Sequence, residues 1–258
     1  MLANYHTHTT RCHHAIGTER EYIEKAIENG FKILGFSDHT PQPYPPEYKS
    51  GIRMDMSELE NYTDTLVKLR EEYKNDIQLF IGLEVEYTDK YFEPLMKQVR
   101  QYPIDYIIQG QHFAPTNEID GFYVGAETTD EADVKAYVDL TIEGMQTGLF
   151  SYLAHPDLMN YVGPDMVYQH HMKRIVKASI DLNIPLEINM QGFFLNRNYP
   201  SDRFFSMASA MGAKFVIGCD AHHPEDVMQP WQMEDFVAFL ERNNIEYGDN
   251  VVELRPVK

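Results

Sequence analysis

Histidines and carboxylates at recurring positions are the part of this sequence most able to do chemistry. His6 and His8 stand in NYHTHT, His14 follows in RCHH, and His39 closes SDH. Glu84 stands in GLEVEY, His112 in GQHF, His155 in AHPD, and Asp220 with His222 in CDAHH. These nitrogen and oxygen donors are too many for one tetrahedral zinc and suit two or three divalent ions, with carboxylates able to bridge. In a strand, residues i and i+2 point to one side, so His6 with His8, and Asp220 with His222, could each chelate an ion. The same spacing puts Glu86 beside Glu84, as a further ligand or as a partner that orients one. A lone buried histidine is commonly a hydrogen-bonded core residue. Independent core residues would not fall together at the ends of successive strand-like runs. Nor is the opening cluster a tag remnant, because tags are unbroken runs. His170 and His171 lie mid-helix in VYQHHMKR and are expected in solvent, and His13 and His223 neighbour better candidates.

Clustered metals can supply most of what hydrolysis needs, for a phosphomonoester among other substrates. A metal-bound water is substantially ionised near neutral pH, and a bridging hydroxide can be held in line with phosphorus. The cations also neutralise the non-bridging oxygens as charge shifts in the transition state. Arginine's planar fork matches those oxygens. Arg197, in the loop QGFFLNRNYP, leads by position, followed by Arg11 in the first motif loop and then Arg203. A proton for the leaving group could come from Asp157 or His222, although Asp157 could instead orient His155 or cap its loop. Glu187 and Asn189 share a strand face and could support ligands, touch substrate or bond within the core.

These residues must be positioned by the elements around them. Strand-like apolar runs cover Leu2–His6, Lys32–Ser37, Ile77–Tyr87, Asp105–Gln111, Phe150–His155, Ile184–Asn189 and Lys214–Asp220. Amphipathic stretches predict helices over Glu19–Asn29, Ser57–Lys74, Tyr91–Gln101, Asp130–Gln146, Asp165–Leu182, Ser201–Met211 and Glu225–Asn243. Ser57 and Ser201 read as N-caps, and Gly30 and Gly212 as C-terminal stops. Strict β-then-α alternation argues for a parallel sheet covered by helices, either open and doubly wound or closed as a barrel. HTHTTRCHH occupies the place of a glycine-rich phosphate loop, and a barrel gathers every strand C-terminus on one face. The barrel is therefore the expected architecture.

Bulk properties agree with a single domain spanning 1–258, of ordinary composition at 43% hydrophobic and 24% charged residues. A net charge of −18, from 40 acidic and 22 basic residues, disfavours nucleic acid and anionic membranes as partners. An anionic substrate would then need local positive charge, which bound cations supply. Two cysteines, Cys12 and Cys219, are too few for a disulfide framework and suggest a reducing cytoplasm. There is no apolar run of membrane-spanning length and no basic-then-apolar leader pattern.

HTHTTRCHH, SDH, GLEVEY, QHF, AHPDLM, EIN and GCDAHHPEDV resemble, in order, the motifs of the PHP (polymerase and histidinol phosphatase) family. The likeness runs from Tyr5 to about Val227 and is greatest to the monofunctional histidinol-phosphatase branch, with its H-x-H-T-x-x-C-x-H start. The resemblance implies a distorted (β/α)7 TIM-like barrel with a trinuclear site of zinc, iron or manganese at the strand C-termini. It implies that His6 and His8 hold one metal, closed by Asp220, with Glu84 bridging to a second that His112 and His155 complete. His14, His39 and His222 would hold the third, although some relatives carry aspartate in place of His14. The implied activity is hydrolysis of L-histidinol phosphate to L-histidinol and phosphate, in histidine biosynthesis. Alternatives are another phosphoester (a nucleotide, a sugar phosphate or phosphotyrosine), a metal-dependent amidohydrolase, or a non-catalytic metal-stabilised scaffold. The segment FAPTNEIDGFYVGAETT matches no motif, and such loops shape the substrate pocket in that family.

Overall fold

The computed structural model describes residues 1–257. The elements run β1 (Ala3–Asn4), α1 (Glu19–Glu28), β2 (Ile33–His39), α2 (Leu59–Glu72), β3 (Gln78–Val85), α3 (Phe92–Val99), β4 (Tyr106–Gln109) and β5 (Phe113–Ala114). They continue β6 (Phe122–Tyr123), α4 (Glu131–Gln146), α5 (Asp165–Leu182), β7 (Leu186–Asn189), α6 (Met190–Phe194), α7 (Asp202–Ala210), β8 (Phe215–Gly218) and α8 (Glu234–Arg242). Strands β1 to β4 form one parallel sheet in sequence order, and β7 pairs with β8 in parallel. Single parallel bridges link Gln109 to Leu153, Leu153 to Leu186, and Thr7 to Ala221. The fold is α/β, a curled parallel sheet carrying helices.

Local chemistry explains the helix limits. Thr18 N–H donates to the Glu21 carboxylate at 2.6 Å while Glu21 N–H returns to Thr18 Oγ1 at 3.3 Å, a reciprocal cap for α1. Gly30 then ends that helix at φ 81°. Ser201 caps α7 by accepting from Phe204 N–H. Ser57 does not cap α2: it lies inside a 3-10 turn, Met56–Glu58, that precedes the helix. The expected helix over 225–243 is broken, because Pro224 and Pro230 open separate 3-10 turns ahead of α8.

Several strands are shorter than their apolar runs. The run Phe150–His155 contributes only the bridge at Leu153, because the backbone turns into the left-handed region at His155 (φ 28°). The same turn at Asp220 (φ 50°) follows the end of β8. Both departures aim a polar side chain inwards, so the ladder stops where the candidate site begins. A two-stranded antiparallel hairpin, β5–β6, lies within the segment that matched no motif.

Helices cover the outer face of the sheet on a continuous core that includes Leu34, Phe36, Ile81, Leu83 and Ile107. Burial on both faces explains why the strand sequences read as unbroken apolar runs. On the inner side, Tyr5, Tyr106, Ile108, Tyr152 and Val216 form a second cluster, against which Val252 and Leu254 pack from the far end of the chain. Asn250 ties this floor together: its side chain accepts from Ile217 N–H and donates to Ala3 O and Ile217 O, each at 2.8 Å. No helix among the described residues is long and apolar enough to cross a membrane.

Candidate metal centre

The strand C-termini converge beneath a cavity of about 630 Å³ whose wall includes His14, His39, Glu84, His112, His155, Asp220 and His222. His6 and His8 lie fully buried under it. Every one of the nine donors singled out by sequence is therefore at one place. They fall into triplets whose ligand atoms all lie within 4.8 Å of one another: His6–His8–Asp220, Glu84–His112–His155 and His14–His39–His222. A fourth triplet, His8–His39–Glu84, overlaps these and runs between them. His14 is the most exposed of the donors.

Ring nitrogens face each other across short gaps. His6 Nε2 and His8 Nε2 are 3.2 Å apart, and His14 Nε2 and His222 Nε2 are 2.9 Å apart. The opposite nitrogens are already held. His6 Nδ1 meets Glu187 Oε1 at 2.7 Å, His8 Nδ1 meets Asp38 Oδ1 at 3.3 Å, and His14 Nδ1 meets Cys12 O at 2.6 Å. His222 Nδ1 lies 3.0 Å from the acceptor Asp220 O, to which Gln191 Nε2 also donates. These outer partners orient each ring so that its Nε2 lone pair is presented inwards. The carboxylates complete the pattern: Glu84 Oε1 lies 2.8 Å from His155 Nε2, Glu84 Oε2 lies 2.8 Å from His39 Nδ1, and Asp220 Oδ1 lies 3.0 Å from His8 Nε2.

This donor set fits divalent ions. Glu84 Oε2 and Asp220 Oδ1 are buried close to histidine nitrogens yet accept no aligned hydrogen bond, a costly state for an anion unless a cation answers it. Burial would raise the Glu84 carboxyl, but the His39, His112 and His155 imidazoles outweigh it and hold Glu84 well below the usual range. Asp220 is held low in the same way by His6, His8 and His222 against its own burial. Burial, aided by the neighbouring His8 cation, pushes His222 down to about 3, and His39 and His112 also sit well below normal, so these rings keep a free lone pair. Two ionised carboxylates beside imidazoles kept neutral at His39, His112 and His222 suit zinc-like cations, which would displace the protons that the carboxylates hold on His6 and His8.

Close packing sets the Glu84 position. A Cβ added to Gly110 would land on the Glu84 carboxylate, and one on Gly218 would land on Glu187. Glu187 in turn accepts from His155 N–H at 3.0 Å and from Asn189 Nδ2 at 3.0 Å, and Asn189 also donates to Asp220 Oδ2.

Arg197 lines the cavity, as its loop position suggested. Arg11 does not: its guanidinium bonds Glu19 and Asn61 outside the cavity. Arg203 is spent on Asp165 and Tyr161 O, over the Tyr168 ring. The Asp157 carboxylate turns to Ser201, accepting from its N–H at 2.7 Å and its hydroxyl at 2.8 Å, so it anchors the loop that carries Arg197. Burial pushes Asp157 up to about 7. His171 is buried against Glu131 rather than solvated, because α5 packs that face on α4. Glu86 serves no donor triplet, being paired with Arg53 and with backbone N–H groups of His112 and Phe113.

Several contributors were missed. Asp38 stands next to a recognised donor in SDH and could have been found from that motif. Tyr199 and Gln191 lie on the cavity wall, and the buried Cys12 thiol is within 4.8 Å of the His8 and His222 ligand atoms. Arg53, 1% exposed, has no local signal in the loop SGIRMD.

Residues 4–191 match the PHP domain family. A probable histidinol-phosphatase of Deinococcus radiodurans is 30% identical over 88% of each chain. The histidinol-phosphatase of Bacillus subtilis is 24% identical over 92% of this chain and 97% of its own. The crystal structure of histidinol phosphate phosphatase from Lactococcus lactis, complexed with zinc, L-histidinol and phosphate, superposes with a TM-score of 0.70. It covers 97% of this chain and 98% of its own at 18% identity, a likeness of fold.

Proposed function

Because the chain belongs to the PHP domain family, in its histidinol-phosphatase branch, we propose that it is a metal-dependent phosphatase hydrolysing L-histidinol phosphate to L-histidinol and phosphate. The observation that carries this reading is the convergence of two ionised carboxylates and seven imidazoles under one cavity with Arg197 on its wall. The names of the curated relatives supply the substrate. The strand ring, followed through its single bridges, supports a closed (β/α)7 barrel within a single domain 1–258. Two buried, unpaired cysteines fit a cytoplasmic setting.

His6, His8 and Asp220 would hold one divalent ion (zinc, iron or manganese), Glu84, His112 and His155 a second, and His14, His39 and His222 a third. When bound, these ions ionise a water for attack on phosphorus and neutralise the phosphoryl oxygens. Glu84, within ligand range of two triplets, would serve both. Arg197 grips phosphoryl oxygens through its planar fork, adding positive charge to a strongly acidic protein. Tyr199 keeps its proton, because burial pushes its hydroxyl well above normal. It can therefore donate a hydrogen bond to a phosphoryl oxygen and accept no charge there. Glu187, Asp38 and the Asp220 carbonyl hold ring tautomers, and apolar wall residues exclude water from the rest of the cavity.

Phosphate release should be measured for histidinol phosphate beside sugar phosphates, nucleotides and phosphotyrosine. Histidinol phosphate should lead the panel in kcat/KM by at least about tenfold, with activity lost to chelator and restored by zinc or manganese. Arg197→Ala should lower kcat/KM by roughly ten- to a hundredfold, the worth of a charge-assisted bond. Full activity after exhaustive chelation, or in His8→Ala, would sink the metal mechanism, and a different leader in the panel would sink the substrate.

A further inference from the structure

Behind the cavity wall, one arginine joins three segments that the metal cluster leaves unexplained. Arg53 comes from the long loop after β2, which also puts Ile52 on the cavity wall. Its Nη2 pairs with Glu86 at the end of β3, and its Nε donates to Glu118, in the β5–β6 loop, at 3.0 Å. Glu86 Oε1 accepts the N–H groups of His112 at 2.8 Å and Phe113 at 2.5 Å. Glu118 also takes Tyr48 Oη at 2.9 Å and Ser50 Oγ at 2.8 Å. The charges are almost wholly buried, with Arg53 and Glu86 side chains each 1% exposed and Glu118 8%.

A buried ionic group of this kind gains little net stability over apolar packing, and its best-attested use is to fix one arrangement among several. Here the fixed arrangement has an evident content. The Glu86 side binds the backbone of His112, a cluster donor. The Glu118 side binds the loop that closes the β5–β6 hairpin. On that hairpin Phe113 and Tyr123 stand with ring centroids 6.0 Å apart, and both face the cavity. Together with Ile52 and Phe194 they make its apolar side, suited to a flat ring through stacking and apolar contact.

Resting on the phosphomonoesterase reading above, we infer that Arg53, Glu86 and Glu118 form a positioning clamp. The clamp holds the Phe113–Tyr123 wall, the seat of a planar leaving group, in register with His112 and hence with the cluster. Arg53 and Glu118 act through these neighbours and touch no substrate themselves. Selectivity between phosphoesters thus depends on a charge group outside the cavity.

The test compares histidinol phosphate, p-nitrophenyl phosphate and glycerol phosphate as substrates of the zinc-loaded wild type, Glu118→Gln and Tyr123→Ala. In Glu118→Gln the KM for the two ring-bearing substrates should rise about three- to tenfold, the span of an aromatic contact. KM for glycerol phosphate and kcat for all three should stay within about twofold. Tyr123→Ala, at an exposed position, should raise the same two KM values. Equal changes across the three substrates, or none, would overturn the clamp. A second readout needs no turnover: amide exchange over 113–123 should quicken in Glu118→Gln while β2 and β3 stay protected. Unchanged exchange in the hairpin overturns the clamp as well. A wild type that hydrolyses p-nitrophenyl phosphate and ignores histidinol phosphate refutes the assigned substrate. The clamp is then decided by the remaining pair and the exchange.

Discussion

Donor residues carry their chemistry in their type, which is why they are the most legible part of this protein. Histidine placed beside aspartate or glutamate at strand end after strand end has few other uses, and all the donors read from sequence meet at one site. What the residue types did not disclose is what holds them. Arg11 stood second to Arg197 as a candidate to reach phosphate, and it spends its guanidinium on Glu19 and Asn61. Asp157 looked able to donate a proton, but its carboxylate is turned to Ser201. Such choices depend on partners distant in sequence. Gly110 makes the same point in reverse, since nothing local marks it, yet its missing side chain is the space that Glu84 fills. Gly110→Ala should displace Glu84, lower activity by about a hundredfold or more, and destabilise the fold by roughly 1–3 kcal/mol through overpacking. Elemental analysis should find fewer metal ions per chain than in the wild type. A variant with normal metal content and activity would show that Glu84 does not need that space.

Elements were legible where a single periodicity runs long enough. α5 occupies the predicted residues Asp165–Leu182, and α7 begins at the cap read at Ser201. The strands were over-extended, because apolar residues continue past the point where backbone pairing stops. Left-handed turns at His155 and Asp220 end the ladders there and cannot be seen in hydrophobicity. The β5–β6 hairpin escaped for the opposite reason, its strands being two residues each. Nor did periodicity reveal the described residues after α8, 243–257, which have no regular structure but close the floor through Asn250. Asn250 stands at φ 61°, where asparagine is tolerated and alanine strained. Asn250→Ala removes three hydrogen bonds to β1 and β8 and leaves their partners unmatched. It should cost about 2–4 kcal/mol of stability, read as a lower midpoint of urea unfolding with an unchanged slope. A loss below about 0.5 kcal/mol would mean that the floor is held by Val252 and Leu254 packing instead.

At the scale of the whole molecule, charge and site pull in opposite directions. The chain carries a net −18, and a phosphomonoester approaches as an anion. Its long-range encounter is therefore unfavourable even though the cavity itself, once loaded with cations, is attractive. The Debye length falls from about 30 Å at 0.01 M salt to about 10 Å at 0.1 M, which screens the distant repulsion and spares the buried contacts. The kcat/KM should accordingly rise severalfold as sodium chloride goes from about 10 to 100 mM, mostly in the association step. A steady fall over that range would show that the local positive field governs approach. Of the molecular architecture, parallel pairing and helix cover followed from strict β/α alternation. Contact between the last strands and the first, expected of a barrel, is made by the single bridge from Thr7 to Ala221 and by one asparagine.

That joining also sets an order of events. Asn4 Oδ1 accepts from Cys219 N–H, a contact spanning 215 positions, and His8 N–H donates to Ala221 O nearby. On a ribosome adding roughly 5–20 residues per second, the first strand waits about ten to forty seconds for the partner that pins it. His6 and His8 meanwhile have neither Asp220 nor His222 to share an ion with. Two of the three donor triplets thus wait for the finished chain, while Glu84, His112 and His155 are all made well before its end.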